Sequence, residues 1–507
     1  MPKSDFKPIS LYNHSLALLV DLYQLTMSYG YWKSGLDKKE AVFHLFFRRC
    51  PFQGGFAIAA GLQTVIDYLK DFHFDESDLA YLATLTASNG SPLFEPAFFD
   101  YLANMKFACD IDAIPEGNVV FPYEPLIRVQ GPLIQAQLLE SPLLNLINFP
   151  SLIATKAARV CIAAQGDPVV EFGLRRAQGI DGCLTASRAA YIGGCEGTSN
   201  VLAGKLFDIP VRGTQAHSWV MIFDEELEAF KEYAKHQPDN CLFLVDTYDT
   251  LEGVEKAIEV GKWLRQQGKE MIGIRLDSGD LTYLSIKCRA MLDAAGFQNA
   301  KILASNELDE SIISELKRQG AQINVWGVGT KLVTGGNQPA LDGVYKLSAV
   351  RDPGKEWHYK LKLSEKMTKV SNPGIMQVRR FSDNNGEYLA DAIYDLAMGI
   401  GLQSIIVDPF DSTRRKQIKK TWSYRDLLVP IFRQGKCVYD QPSLSAIRAI
   451  CQKELNFFHS AIKRFVNPHE YIVGMEHSLY QTKVTLIKKI RRHDVLYEVP
   501  KPQENNL

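Results

Sequence analysis

No uninterrupted apolar run in this sequence reaches the length of a membrane-spanning segment. A spanning helix needs about 18 consecutive apolar residues. The nearest stretch, "PLLNLINFPSLIA" at 142–154, is broken by Asn145, Asn148 and Pro150. No sign of charge dominates either: 57 Lys and Arg stand against 58 Asp and Glu, a formal net charge of -1. A nucleic acid or an anionic membrane finds no global field to follow, so neither is expected as a partner. Phosphate would have to be held by local clusters. The nine cysteines include no CxxC pair, and the opening "MPKSDFKPIS" lacks the apolar centre of a secretion signal. A reduced, cytoplasmic protein is the expectation. Cys183 and Cys195 flank a glycine-containing segment, where redox chemistry competes with a plain role as buried thiols. Every Gly-Lys pair lacks the following Ser or Thr of a P-loop, and no GxGxxG follows a strand-like run. "HEYIVGMEH" (469–477) lacks HExxH spacing, which leaves side-chain zinc unsupported.

What is present is alternation. Short apolar runs recur at "PVVEF" (168–172), "IPVR" (209–212), "CLFLV" (241–245), "MIGIRL" (271–276), "KILA" (301–304) and "INVWGV" (323–328). Such runs suit strands buried on both faces. Amphipathic stretches separate them; in one, Leu251, Val254, Ala257, Ile258 and Leu264 form a stripe that Thr250 can cap. Strand and helix in strict turn imply parallel strands with right-handed crossovers. Polar residues follow five of these runs: His217, Asp246, Arg275 with Asp277, Ser305 with Asn306, and Gly327 to Thr330. One ring of loops around one site favours an irregular TIM-like α/β barrel over an open sheet.

The expected division is 1–145 as an N-terminal α+β domain joined by part of 346–420, 146–345 as the catalytic barrel, and 421–507 as a C-terminal helical portion. "LLVDLYQLTMSYGYW" (18–32) reads as a helix, and 114–140 has the Gly and Pro punctuation of hairpins. "GVYKLSAV" and "KEWHYKLKLS" read as strands, and 442–493 as a helical, basic tail.

Four clusters can carry chemistry. "GVGTK" (327–331) lets backbone amides approach a phosphate, with the Thr330 hydroxyl as a further donor, or it is a tight turn. In "EFGLRRAQG" (171–179), Arg175 and Arg176 suit phosphate oxygens or surface ion pairs, and Phe172 can stack on a ring or fill the core. In "GIRLDSGDL" (273–281), Asp277 suits ribose hydroxyls or a substrate-borne Mg²⁺. Arg275 can hold a carboxylate or stack over a ring, and Asp280 is best read as a helix cap. In "GTQAHSWV" (213–220), His217 has small and polar neighbours, so it is either packed or a nucleophile towards phosphorus.

Taken together, these segments resemble the nicotinate phosphoribosyltransferase family. The resemblance runs through "LLVDLYQLTMSYGYW", "FFRRCPFQGGFAIAAGL", "FGLRRAQGIDG", "SNVLAGKLFDIPVRGTQAHSW", "FLVDTYDTLEGV", "GIRLDSGDL", "ILASNELDE" and "VWGVGTKLVT", and returns in "NPHEYIVGM". It implies a type II phosphoribosyltransferase-like fold. It implies transfer of the 5-phosphoribosyl group from phosphoribosyl pyrophosphate to nicotinate in NAD salvage, giving nicotinate mononucleotide and pyrophosphate. It further implies ATP as co-substrate through a phosphohistidine at His217, Mg²⁺ carried on the pyrophosphate, and a homodimer with the site at the subunit interface. Carried over by position, Tyr23, Thr214 and Arg275 bind nicotinate. Gly327, Gly329 and Thr330 bind the phosphoribosyl group, Asp277 its hydroxyls, and Arg175 and Arg176 phosphate. Arg48 and Arg49 are candidates for pyrophosphate or for a structural ion pair. Phe172 is what the related nicotinamide enzymes would use for stacking, which keeps nicotinamide as the alternative substrate. Outside this family, Lys346 or the Asp246–Asp277 pair would suit a barrel aldolase or glycosidase, and a non-catalytic metabolite-binding protein is a third reading.

Overall fold

The computed structural model describes residues 15–494. The opening "MPKSDFKPIS" and residues 495–507 of the expected helical portion lie outside the described residues. Three large sheets organise the chain, beside a two-stranded pair of Ala57–Ile58 with Val119–Val120. In the first, the strands run in the order His358–Tyr359, Gly343–Arg351, Glu40–Phe47, Ile127–Pro132, Asp110–Ala113, Val429–Arg433 and Lys436–Cys437, antiparallel throughout. The chain thus returns to its N-terminal sheet twice, after 343 and after 429. Helix Leu22–Lys33 lies where the sequence placed one, whereas Leu133–Leu138, inside the expected hairpin region, is helical.

The second sheet holds the site. It has six parallel strands in the order Gly197–Thr198, Val169–Glu171, Val325–Val328, Lys301–Ala304, Gly273–Leu276 and Leu242–Leu244. Five of the six expected runs are strands. The sixth, "IPVR", makes only the single bridge Thr198↔Val211. Pro210 has no N–H to continue a ladder, so pairing stops at Thr198 N–H to Pro210 O (3.0 Å) and Arg212 N–H to Thr198 O (3.0 Å). The edge strands Gly197–Thr198 and Leu242–Leu244 do not pair with each other among the described residues. The segment 209–217 spans the interval between them.

Helices after these strands begin on short polar side chains that accept backbone N–H groups. Asn200 caps Val201–Phe207, Asp249 caps Thr250–Gln266, Asp280 caps Leu281–Ala294, and Asp309 caps Glu310–Arg318. The cap of Thr250–Gln266 is therefore Asp249; Thr250 is the first helical residue. Capping separates the acidic residues at the carboxyl ends of the strands into those already committed and those left over, Asp246 and Asp277.

A 24-residue helix, Glu140–Ala163, joins the two units and carries Pro150 inside it. Its Leu143, Ile147 and Leu152 belong to the N-terminal core, Ala157, Val160 and Ala163 to the core of the parallel sheet, and Ile153, Ala154 and Ala158 to a third between them. Residues 145 and 146, the expected domain border, fall within it. Together with Leu133–Leu138 it makes the one helical stretch, among the described residues, long and apolar enough to cross a membrane; 72% of its most apolar window is buried inside the protein. Lys156 and Arg159 on this helix both bind Glu310 (Arg159 Nε–Oε1 2.8 Å), which locks it to the parallel sheet.

The third sheet runs Arg415–Gln417, Ile405–Val407, Val473–Glu476, Tyr388–Asp395, Met376–Ser382 and Ser423–Asp426. Within 421–494, helices Leu444–Asn456 and His477–Asp494 are accompanied by strands of two sheets.

Candidate active site

The carboxyl ends of the parallel strands converge on one hydrogen-bonded cluster. Arg275, near the end of Gly273–Leu276, is its hub. Its Nε donates to Ser305 Oγ (2.8 Å), its Nη2 to Asp277 Oδ1 (2.7 Å) and its Nη1 to Thr214 Oγ1 (3.1 Å). A guanidinium has five N–H donors. Three are used here, and the remaining two lie one on each Nη, the fork that matches a carboxylate. The Arg275 guanidinium also lies 5.6 Å from the Phe172 ring centre.

Phe172 follows Val169–Glu171 and reaches over the neighbouring strand because position 327 has no side chain. A Cβ built on Gly327 would meet the Phe172 Cδ2 and Cε2 at 2.6 Å. Below the ring, Glu171 is buried. It accepts Ser187 Oγ (2.8 Å), Thr198 Oγ1 (2.6 Å) and the Gly173 N–H. This carboxylate holds the strand end that carries Phe172, and the sequence reading assigned it nothing.

Asp277 lies in the turn after Arg275. Its N–H donates to Asp246 Oδ2 (2.8 Å), which also accepts Ser278 Oγ (2.7 Å). Burial alone would raise the Asp277 carboxyl pKa. The Ser305 hydroxyl, Arg275 and His217 outweigh it and hold the group below its ordinary value. Asp277 is thus kept anionic.

His217 opens the short helix His217–Met221. Its Nδ1 lies 3.2 Å from Thr247 Oγ1, and its Nε2 3.8 Å from Asp277 Oδ2. The side chain is 40% exposed, so it is held on one nitrogen and open at the mouth. Thr247, Ser305 and Asp246 complete the cluster. Their signal in the sequence was their position directly after strands.

Gly329 and Thr330 follow Val325–Val328, and Thr330 begins the single turn Thr330–Val333. A Cβ on Gly329 would sit 3.2 Å from Phe172 O, so this loop passes close beneath the ring's own backbone. Arg175 and Arg176 lie on the turn Leu174–Arg176, exposed and free of ion pairs among the described residues. His217, Thr214, Arg275, Asp277, Phe172 and the glycine loop are therefore brought together, with the two arginines on the rim.

Tyr23 is not among them. It is half exposed on Leu22–Lys33, beside Glu140, and its pKa is pushed up to about 12 by burial and by that carboxylate. Arg48 and Arg49 line a separate cavity of about 800 Å³ with Tyr123, Phe410, Arg415 and Lys416. Lys346, the aldolase candidate, lies near Glu140 and has its pKa lowered by burial. No contact among the described residues joins it to His217. Cys183 and Cys195 are separate: the Cys183 thiol donates to Ile180 O (3.0 Å), and all nine cysteines are free. No three His, Cys, Asp or Glu side chains converge as a metal site among the described residues.

Three family models match the chain: the nicotinate phosphoribosyltransferase N-terminal domain over residues 18–148, the nicotinate phosphoribosyltransferase family over 168–391, and its C-terminal domain over 375–483. The nicotinate phosphoribosyltransferase of Bacillus subtilis is 43% identical over 483 residues, covering 94% of this chain and 96% of that one. The human enzyme of that name is 35% identical over 520 residues, covering 91% and 95%. The crystal structure of human nicotinic acid phosphoribosyltransferase superposes with a TM-score of 0.79 at 33% identity, covering 92% of this chain and 99% of that one. A nicotinate-nucleotide pyrophosphorylase from Pyrococcus furiosus shares the fold, with a TM-score of 0.67 at 21% identity.

Proposed function

Because the chain belongs to the nicotinate phosphoribosyltransferase family and carries that activity, we propose that it transfers the 5-phosphoribosyl group of phosphoribosyl pyrophosphate to nicotinate with ATP as co-substrate, through a phosphohistidine at His217. In the transfer, the nicotinate ring nitrogen forms a bond to the anomeric carbon as the bond to pyrophosphate oxygen breaks. The ring nitrogen carries its own lone pair, so no general base is required. Positioning the ring and stabilising the leaving group are the protein's work.

The observation that carries this reading is the Arg275 hub. Its two spare N–H groups and the Phe172 face together fit an aromatic carboxylate. A guanidinium favours the nicotinate carboxylate over an uncharged amide, and the relatives are nicotinate enzymes, so nicotinamide is not favoured. Asp277, held anionic, is suited to accept ribose hydroxyls. Gly327, Gly329 and Thr330 would contact the 5-phosphate, and Arg175 and Arg176 the pyrophosphate.

Thr247 holds the imidazole through Nδ1, and Nε2 lies 3.8 Å from Asp277 Oδ2 on a side chain that is 40% exposed. Attack of Nε2 on the γ-phosphorus of ATP forms the N–P bond and releases ADP, and hydrolysis returns the free imidazole. Phosphorylation would add about two negative charges beside Asp277 and so alter substrate affinity. Mg²⁺ would be brought as an ion on the phosphate oxygens of the substrate. When bound, it would neutralise charge on the departing pyrophosphate.

Tyr23 and the Arg48–Arg49 cavity would complete the site across a homodimer, which accounts for their separation from His217 within one chain. A cytoplasmic setting fits nine free thiols. The test is label transfer from γ-³²P-ATP to wild type and to His217→Ala, followed by a chase with nicotinate and phosphoribosyl pyrophosphate. Acid-labile label on wild type alone supports the phosphohistidine. Equal label on both proteins, or none on either while product forms, refutes it.

A further inference from the structure

Outside the Arg275 cluster, a cavity of about 270 Å³ lies between helix Glu140–Ala163, the start of helix Glu310–Arg318 and the loop after Thr330–Val333. Three cations line it: Lys156 and Arg159 from the first helix, and Lys331 from the turn. The side chains of Lys156 and Arg159 are only 7% and 4% exposed. Each binds Glu310, Arg159 through Nε (2.8 Å), and that is the one hydrogen bond either side chain makes among the described residues. A guanidinium has five N–H donors and an ammonium three. Four on Arg159 and two on Lys156 therefore have no protein acceptor there, and Arg159 Nη1 is fully buried. Lys331 makes no side-chain hydrogen bond or ion pair among the described residues.

The surrounding wall fixes these cations without using their N–H groups. Phe52 lies 4.9 Å from Lys156 Nζ and 5.7 Å from Arg159 Cζ, and Phe465 lies 5.0 Å from Arg159 Cζ, measured to the ring centres. Left-handed backbone at Phe52 and Gln53, with φ of 59° and 50°, turns that loop into the cavity wall. Gly336, with φ of 58°, brings the other loop round: a Cβ there would stand 3.9 Å from both Lys156 Nζ and Lys331 Cδ. Lys156 and Lys331 thus converge on one small volume. Burial raises the Glu310 pKa, but Lys156 and Arg159 outweigh it and hold the carboxyl below its ordinary value. Asp309 also lines the cavity, with Oδ1 taken by the Ser311 and Ile312 N–H groups (3.0 and 2.9 Å). Three cations therefore face two carboxylates, one of them already engaged as a helix cap.

We propose that this cavity is a second binding site, for a phosphate group held by Lys156, Arg159 and Lys331, supplied as inorganic phosphate or as the phosphoryl end of a small metabolite. Buried donors without acceptors are costly, and a bound oxyanion would satisfy them. A phosphate offers acceptor oxygens in several directions, matching donors that arrive from a helix and a separate turn. A planar carboxylate would serve one fork and leave the other donors unmet. None of Arg275, Asp277, His217, Phe172, Arg175 and Arg176 lines this cavity. The site is therefore separate from the substrate cluster, and the inference does not depend on the role given to His217.

The experiment is calorimetric titration of the full chain with inorganic phosphate, glycerol 3-phosphate and acetate. Nicotinate mononucleotide is held at saturation to fill the Arg275 site, and hydrogen exchange of peptide 331–338 is followed alongside. The variants are Lys331→Gln, Lys331→Arg, Gln53→Glu, and Arg175→Ala combined with Arg176→Ala. Wild type should bind a phosphate ligand with a millimolar or lower Kd and exchange more slowly in 331–338. Lys331→Gln, which loses a charge-assisted hydrogen bond, should weaken binding about tenfold, and Lys331→Arg should keep most of the affinity. Gln53→Glu sets a carboxylate at an exposed position of the wall and should weaken binding by repulsion. The Arg175→Ala, Arg176→Ala protein should stay within about twofold of wild type, since its changes lie outside the cavity. Tighter binding of glycerol 3-phosphate points to a phosphorylated metabolite, and tighter binding of inorganic phosphate to the free ion. The proposal is overturned if neither phosphate ligand binds, which would mean that water alone serves the spare donors, or if acetate binds as tightly. Wild-type affinity in Lys331→Gln and Gln53→Glu also overturns it. If Lys331→Gln does not fold, unchanged affinity in Gln53→Glu decides against it. Absence of product from wild type would refute the functional reading, and titration without nicotinate mononucleotide would still test the cavity.

Discussion

A single methyl group at Gly327 would test how the ring pocket is built. The backbone there is ordinary extended strand, so Gly327→Ala adds no conformational strain. It adds a Cβ at 2.6 Å from two carbons of the Phe172 ring. Carbon atoms rest at about 3.5–4.0 Å, so the ring must withdraw by about 1 Å. Withdrawal is resisted from behind, because Phe172 N–H donates to Val328 O (2.8 Å) and Glu171 is pinned by three donors. Overpacking of this kind costs about 1–3 kcal/mol. Expressed wholly in ligand affinity, that is roughly five- to 150-fold. The assay is steady-state kinetics with each substrate varied in turn, alongside thermal unfolding. KM for nicotinate should rise at least fivefold, and KM for phosphoribosyl pyrophosphate should change far less. Combining Gly327→Ala with Phe172→Leu should recover stability, a coupling that a double-mutant cycle measures. A Gly327→Ala protein with wild-type stability and a nicotinate KM within twofold would refute the pocket geometry.

Asp277→Asn removes the acceptor charge that Arg275 and Ser305 share. Because the folded pKa of Asp277 is depressed, its contribution to stability is complete above the ordinary carboxylate value of about 3.9 and fades as pH falls through the folded value. Acid unfolding of the variant should lose that component, while product formation drops at every pH. Glu310→Gln leaves Lys156 and Arg159 buried without their counter-charge and should cost about 3–5 kcal/mol in urea unfolding; a change below 1 kcal/mol would show that the triad relaxes to water. In the proposed homodimer with its site shared between subunits, mixing inactive Tyr23→Ala with inactive His217→Ala subunits should restore about a quarter of wild-type activity, since half of randomly paired dimers would hold one intact site of two. No recovery after subunit exchange would place Tyr23 and His217 in the same chain's site.

Much of the site was legible because parallel strands impose an address. A residue at or just past the end of a buried apolar run stands at the rim: Arg275 and Gly327 lie near strand ends, and Phe172, Asp277, Gly329 and Thr330 follow them; His217 stands a few residues beyond the single bridge at Val211. The parts that were not legible depend on contacts between distant segments. Glu171 is a carboxylate inside an apolar run, and only its donors, Ser187 and Thr198, explain it. Segment 209–212 has the composition of a strand, yet Pro210 ends its ladder after one bridge. Residues 133–138 alternate like a hairpin strand but turn helical, where Tyr345 Oη donates to Ala136 O (2.7 Å) from across the sheet. The strands Ser423–Asp426, Val429–Arg433 and Val473–Glu476 enter their sheets through partners far along the chain.

The helix Glu140–Ala163 sets the terms on which this protein can be divided. One end seals the N-terminal core and the other seals the catalytic sheet, so a break anywhere along it would leave each half with an open wall. Exchange of segments between relatives would succeed only when this helix travels with the residues it covers on both sides. The border suggested by composition at 145 is therefore a poor place for a recombination joint, and the heritable module is the pair of cores with the rod they share.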